Sequence, residues 1–472
     1  MFSSFRCAAA VLLIGNLSIG AAAQAVDDGR VGSLLAEAKR LEERVAGLEQ
    51  RRAAFDSERL AERLETRILA MTEDLGEAPR AHELAIRWDG DFVFASDDKS
   101  TRLRIVGLVQ NDLSFGTQDG SLEDSGIGRI EDGFRFRRVR LGVAGLVAER
   151  VEFAVRFDFA QGDADVTEMF IGIVDLGDVV TGVRIGHQKE PFGLEQLTAA
   201  PGITFVERSP ANALAPGRNN GIVAYGAPFE ERMTWAAGLF RETDDFGDNE
   251  AGATRPEDGK YAVTVRLTGL PLWDNKGEKM VHVGAGFSYR NSPRDRWSVS
   301  QRPDHRFAPN FVSTGNLDAD DVVLIGAEAA AVIGLFSLQG EALYAAVDGY
   351  SRSDADPEFF AWYVEASWML TGESRPYSRK KGAFEKVRGD SRFLDDAGGS
   401  GAWQIALRYS ELDLTSDAVE GGRLQSLTGG LNWYLNATTR VALNYTWAEL
   451  DEAEDGDEGS AHLFTIGFQF DF

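Results

Sequence analysis

Cysteine is almost missing from this 472-residue chain. Cys7 is the only one, so no intrachain disulfide can form, and thiol chemistry has no place beyond the first residues. Histidine is scarce as well. The five histidines, at 82, 187, 282, 305 and 462, stand in no Ser/Asp cluster and at no metal-ligand spacing. That argues against an enzyme and calls for no cofactor and no metal. Basic residues are in deficit, with 49 Lys and Arg against 75 Asp and Glu and a formal net charge of -26. Such a chain is a poor partner for nucleic acid, whose phosphates need clustered cations. No apolar run after the first residues is long enough for a spanning helix.

What the chain does have is glycine (51 residues), aromatics (10%) and a long alternation of apolar and polar residues after Ser100. In Val151–Ala160, Phe153, Val155, Phe157 and Phe159 fall on one side, and Glu152, Arg156 and Asp158 on the other. Thr439–Glu449 repeats the pattern, with Val441, Leu443, Tyr445 and Trp447 opposing Arg440, Asn444 and Thr446. Period two places these sets on opposite faces of a strand. A soluble sandwich would bury the apolar face. A membrane barrel turns it outward to lipid and keeps the polar face on a wet lumen. Strands of about ten residues match a tilted crossing. Tyr and Trp near the strand ends match interfacial belts. Roughly sixteen strand candidates follow Ser100, an even number as in bacterial single-chain barrels, and only closure leaves no orphaned backbone in lipid. The expected fold is all-β, a sixteen-stranded antiparallel transmembrane β-barrel over 101–472 with an N-terminal coiled-coil helix.

The N-terminus reads as a secretory signal over 1–25. Arg6 is a short basic region, Cys7–Ile19 is mostly apolar, and Ala21–Ala25 offers a small-x-small cleavage site. Over 26–78, Leu34, Leu41, Leu48 and Phe55 recur every seven residues, with Ala38 and Val45 between them. A narrow apolar seam on a charged helix needs a partner helix, so an oligomerising stalk is expected, or a tether to peptidoglycan. A lone helix packed on the main domain is the plainer alternative. Gly76 and Pro79 end it. Residues 79–100 read as a linker with a short strand.

Connections between strands differ in kind. Those at 145–150, 333–335 and 436–439 are tight, while 116–133, 242–258, 291–320, 371–400 and 450–459 are long. Short turns on one side and long loops on the other fit a barrel. The last strand places Phe464, Ile466, Phe468, Phe470 and the terminal Phe472 on one face, and resembles the signal by which outer-membrane barrels are assembled. Within 134–140 the parity of Phe134 and Phe136 conflicts with that of Val139 and Leu141, so a bulge or the start of the strand is expected near Arg137–Arg138.

Residues 188–221 break the alternation. Prolines at 191, 201, 210 and 216 stand among aromatic and charged residues, which points to an ordered loop. Phe134–Gly142, Val183–Glu195, Ile203–Ser209 and Ala213–Asn219 together resemble the phosphate-selective porins O and P. The resemblance implies a trimeric outer-membrane porin of a Gram-negative bacterium, whose third long loop folds into the barrel and narrows the pore. Physics agrees, because a sixteen-stranded barrel leaves an aqueous channel and irregular backbone at membrane depth must line such a cavity. Lys189, Arg208 and Arg218 offer cations; Glu190, Glu195 and Glu207 offset them. Arg138, Arg140, Arg156 and Arg184 should face the lumen. Arginine forks suit phosphate oxygens, and cationic rings select anions. The expected partners are outer-membrane lipid, two further copies and small anionic solutes. In a competing reading the arginines pair with Glu152, Asp158, Glu168 and Glu207 and stiffen a general porin.

Overall fold

The computed structural model describes residues 84–88, 92–124, 127–160, 162–243, 261–350, 355–389, 393, 398–453 and 458–472, with isolated positions between 36 and 46. The chain divides into two compact units, Met1–Ala81 and His82–Phe472. In the first, the described positions (36, 37, 39–41, 43, 44 and 46) are helical and exposed. The signal sequence and nearly all of the heptad repeat lie outside the described residues.

The second unit is a closed antiparallel barrel of sixteen strands. Its first half comprises β1 (Arg102–Gln118), β2 (Gly133–Val147), β3 (Val151–Asp158), β4 (Asp165–Val174), β5 (Gly182–Lys189), β6 (Arg218–Gly226), β7 (Met233–Arg241) and β8 (Tyr261–Asp274). The second half comprises β9 (Lys279–Trp297), β10 (Leu317–Ile333), β11 (Phe336–Asp348), β12 (Glu358–Met369), β13 (Ala402–Ser416), β14 (Val419–Asn436), β15 (Thr439–Ala453) and β16 (Gly459–Asp471). Pairing of β16 with β1, from Ala461↔Gln118 to Asp471↔Leu108, closes the cylinder. The 79–100 region holds two strands rather than one. Leu84–Trp88 and Phe92–Ser96 form a hairpin that adds to β1 just past the end of β16, with Phe92 opposite Ile105.

Alternation decides which way each side chain points. Ile171, Ile173, Ile185, Leu239, Phe287, Phe468 and Phe470 are outward and 42–55% exposed, while Gln110, Thr264, Ser288, Thr428 and Asn432 point inward and are buried. Trp pairs lie on the outer surface at the tight-turn end, where Trp403 stacks on Trp433 at 5.1 Å and Trp368 on Phe336 at 5.2 Å. Tyr261 and Tyr289 lie toward the other end and are exposed, as an interfacial belt requires. The bulge falls on Arg137. Arg138 opposes Gln110 and Phe136 opposes Asn111, which leaves Arg137 extra and reconciles the parity on either side.

Two expectations need correction. The long connection 371–400 joins β12 to β13 and so belongs to the tight-turn end, not to the end with the other long loops. Loop length does not encode which end a loop leaves from; strand parity does. Its described residues 371–389 do not splay into solvent. Tyr377–Ser378 pairs with Ala383–Phe384, and Ala383 and Phe384 pack with Leu194, Leu270, Met280 and Val332. The interior is also not uniformly hydrophilic. Toward the loop end, inward positions on β10–β16 such as Leu324, Leu343, Phe359, Leu412, Leu424 and Leu463 form an apolar core under folded-in loop residues. The inward face there serves as an ordinary core.

Candidate pore constriction

The connection from Lys189 to Arg218 begins and ends as one register pair, since β5 and β6 are neighbours. Between them the chain makes a single helical turn (Leu194–Leu197) and two 3-10 turns (Ala200–Gly202 and Pro210–Leu214). Proline in the first turn of each 3-10 segment fixes φ where no donor is needed. Phe192, Leu194, Ile203, Phe205 and Val206 are all at most 3% exposed. Their partners are the inward faces of the far wall. A Cβ at Gly326 would lie 3.1 Å from the Phe192 ring, and one at Gly430 would lie 3.0 Å from Phe205. These mid-strand glycines let the loop come close. Polar ties follow the same route. The backbone N–H of Leu194 donates to Glu341 at 2.7 Å, and Thr204 Oγ1 donates to Glu365 at 2.8 Å. The Ile203 carbonyl accepts from Arg440 at 2.6 Å, and that of Thr204 accepts from Asn432 at 2.9 Å. The loop therefore crosses the inside of the barrel.

Its six charges part into two groups. Each acid is taken up by an arginine of the wall. Glu190 is fully buried, 2.9 Å from Arg290, and accepts from Asn219 and Thr264. Glu195 lies 3.3 Å from Arg408 and also accepts from Ser209 Oγ at 2.8 Å. Glu207 pairs with Arg137, with Arg138 3.6 Å away. Burial pushes the Glu207 carboxyl up, but Arg137 and then Arg138 outweigh it and hold it well below the usual carboxylate range. Among the described residues none of the three cations has a carboxylate at ion-pair distance. Lys189 donates to the carbonyl of Gln196. Arg208 spends Nε on the Glu195 carbonyl at 2.9 Å and one terminal nitrogen on Thr198 at 2.8 Å. Arg218 Nε is buried without a hydrogen-bond partner. These three, Arg140 and the Glu168 carboxylate stand close enough to act on one another.

On the near wall every arginine expected in the lumen does point inward. Arg140 meets Asp158 at 2.7 Å, Arg156 meets Glu168 at 3.2 Å, and Arg184 meets Glu152 at 2.8 Å. These are the pairings of the competing salt-bridge reading. Arg184 also lies over the rings of Phe170 and Tyr225, at 4.8 and 4.6 Å. Arg138 differs. It is 2% exposed, bonded to Gln110, and sits behind the loop. Open space of about 620 Å³ runs along this wall, lined by Arg104, Glu152, Arg156, Glu168, Arg184 and Lys189 among others. Lys380 and Lys381 of the folded-in connection reach it from the tight-turn end. The alternation sets Arg290, Glu365 and Arg408 on polar strand faces but gives them no part in holding the loop, and Glu341 is missed altogether. All four occupy inward positions of alternating strands, so parity was their available signal.

A comparison with protein families bears on this geometry. The family described as phosphate-selective porin O and P matches residues 109–472. This chain belongs to that family. Porin O of Pseudomonas aeruginosa is 22% identical over 432 residues, covering 82% of this chain and 93% of that one. An uncharacterized protein of Caulobacter vibrioides is 28% identical over 375 residues, covering 78% and 72%. Solved structures similar to this porin include an anion-selective porin from Comamonas acidovorans (TM-score 0.47, 14% identity, 79% of this chain and 100% of that one) and the outer-membrane channel DcaP of Acinetobacter baumannii (TM-score 0.48, 12% identity, 80% and 99%). The protein is thus a porin of the Gram-negative outer membrane, and its family is one of channels, not of enzymes.

Proposed function

We propose that this porin passes small anions, phosphate or polyphosphate among them, through a water-filled path narrowed by the connection from Lys189 to Arg218. The observation that carries this reading is the unequal fate of the loop's charges. Glu190, Glu195 and Glu207 are spent on wall arginines, while Lys189, Arg208 and Arg218 are held only by carbonyls or left with a free Nε. A loop that is neutral by count therefore presents positive charge, as an anion filter requires. Near-wall pairs Arg140–Asp158, Arg156–Glu168 and Arg184–Glu152 add polarity without net charge. Reversal potential across a planar bilayer under a salt gradient, then with phosphate opposed to chloride, tests the reading. An anion preference that weakens in Arg208→Ala and Arg218→Ala is expected. A cation-selective pore indifferent to both substitutions overturns it.

The functional unit in this reading is a homotrimer. Strands β3 to β7 have only 8–10 residues, against 17–19 in β9, β10 and β14. Eight residues rise about 26 Å along the strand, and about 20 Å along the membrane normal once tilted, less than an apolar band of about 25 Å. Neighbouring copies covering this wall would relieve that mismatch. Cross-linking with molecular-mass measurement in detergent tests it, and a monomer at every concentration contradicts it.

A further inference from the structure

The loop 190–217 touches three separate bodies: the barrel wall, the outer connection between β9 and β10, and the connection 371–389 entering from the opposite end. Two side chains, one strand apart, make the junction. Arg408 on β13 and Glu365 on β12 are directly opposed in register, yet the hydrogen bonds of each go elsewhere. Arg408 is 1% exposed. It donates to the Glu195 carboxylate at 3.3 Å and to the Glu207 carbonyl at 3.1 Å, both on the loop, and to Asp304 of the outer connection at 2.8 Å. Its guanidinium also lies 4.4 Å over the ring of Phe205. Asp304 is fixed in turn by Thr428 of β14 at 2.8 Å. Glu365 accepts from Thr204 of the loop at 2.8 Å and from Arg375 of the other connection at 3.0 Å. Arg375 stacks over Phe384, 3.8 Å from its centroid.

Resting on the constriction reading above, we propose that Arg408 and Glu365 are positioning residues that set the channel's ion preference by clamping the loop 190–217 to the connections folded in from both mouths of the barrel. Neither residue lines the open path beside Lys189 and Arg156. They act through the loop: Glu195 and Ser209 close its neck, and Arg208 hangs from the Glu195 carbonyl within that neck. When the clamp is lost, Arg208 and its neighbours drift while the rest of the barrel is left intact. A planar fork meeting three acceptors at once is a task for arginine rather than lysine.

The test is the sign of a charge effect. Asp304→Asn and Glu365→Gln each remove a negative charge near the pore. Simple electrostatics then predicts a stronger anion preference. A clamp predicts the reverse, a chloride-over-potassium permeability ratio lowered by about two-fold or more, with current sub-states absent from the wild type. Arg408→Lys, which keeps the charge, should fall between wild type and Arg408→Gln. Arg423→Gln removes a cation paired with Asp451 on β15, remote from the loop, and serves as the control. Resistance of the folded barrel to heat in detergent shows that each variant has assembled. A ratio that rises in both acid variants, or stays put in both while Arg408→Lys matches wild type, overturns the clamp and leaves the constriction reading standing. A wild type without anion preference overturns the constriction reading, and the clamp with it.

Discussion

The near wall, β2 to β7, and the far wall, β9 to β16, obey one alternating pattern but enclose different interiors. On the near wall most inward charges pair side by side along the sheet, as Arg156 with Glu168 and Arg184 with Glu152, and border the open space, while Arg137 at the bulge of β2 takes up Glu207 of the loop. On the far wall Arg290 and Arg408 reach out to Glu190 and Glu195 of the folded-in chain at buried positions, while Arg423 pairs with Asp451 within the wall. Pairing within a wall cancels charge where it stands. Pairing between wall and loop takes up the loop's acids and, in the reading proposed above, leaves its cations to act on the path. A charge count of the loop alone cannot tell these situations apart.

The sharpest way to break the comparison is to remove one arginine from each wall. Arg290→Ala strands the fully buried Glu190 carboxylate, and a buried pair broken on one side costs about 3–5 kcal/mol. Arg184→Ala acts on a pair that is 35% and 15% exposed and leaves Glu152 its Tyr225 partner, so about 1 kcal/mol or less is expected. Unfolding temperature or denaturant midpoint in detergent compares the two, and equal losses would erase the distinction between the walls.

A second prediction concerns pH. His305, in the outer connection, is 1% exposed, and among the described residues neither ring nitrogen has a hydrogen-bond partner. Burial pushes it from the ordinary 6.5 down to about 4. The detached connection therefore binds a proton that the folded one refuses, so stability is intact above about pH 6.5 and is lost as pH falls toward 4, by up to about 3 kcal/mol. Single-channel records should grow noisier over that window, and His305→Gln should abolish the change. Noise that is constant from pH 7 to 4 in the wild type argues against it.

Smaller again is the effect of Gly430→Val. The new side chain must displace the Phe205 ring, which overpacking places at about 1–3 kcal/mol. Restoration of the loss by Phe205→Leu in the same chain would show that the contact is the cause. No restoration would place the loop elsewhere.

Much of this was legible in the residues. Alternation from Val151 to Ala160 gave strand and faces together, because a half-exposed sheet needs period two. The parity clash around Phe136 and Val139 announced the bulge at Arg137. The prolines and aromatics of 188–221 marked a chain that packs without being a strand. The rest was hidden by distance. Arg290 and Glu190 are a hundred residues apart, and nothing local to either names the other. Gly326 and Gly430 look like weak spots in their strands until a ring is laid against them. The 371–400 connection resembled its solvated counterparts in length, and only the count of crossings before it decides which end it leaves from.

The central claim is that the loop's positive charges act on the path and its negative ones do not. Reversal potentials of Arg218→Gln and Glu190→Gln, measured under the same salt gradient, test this most directly. A clear fall in anion preference for Arg218→Gln beside little change for Glu190→Gln is the predicted result. Equal and opposite shifts would mean that the six charges cancel in the pore as they do on paper, and would contradict it.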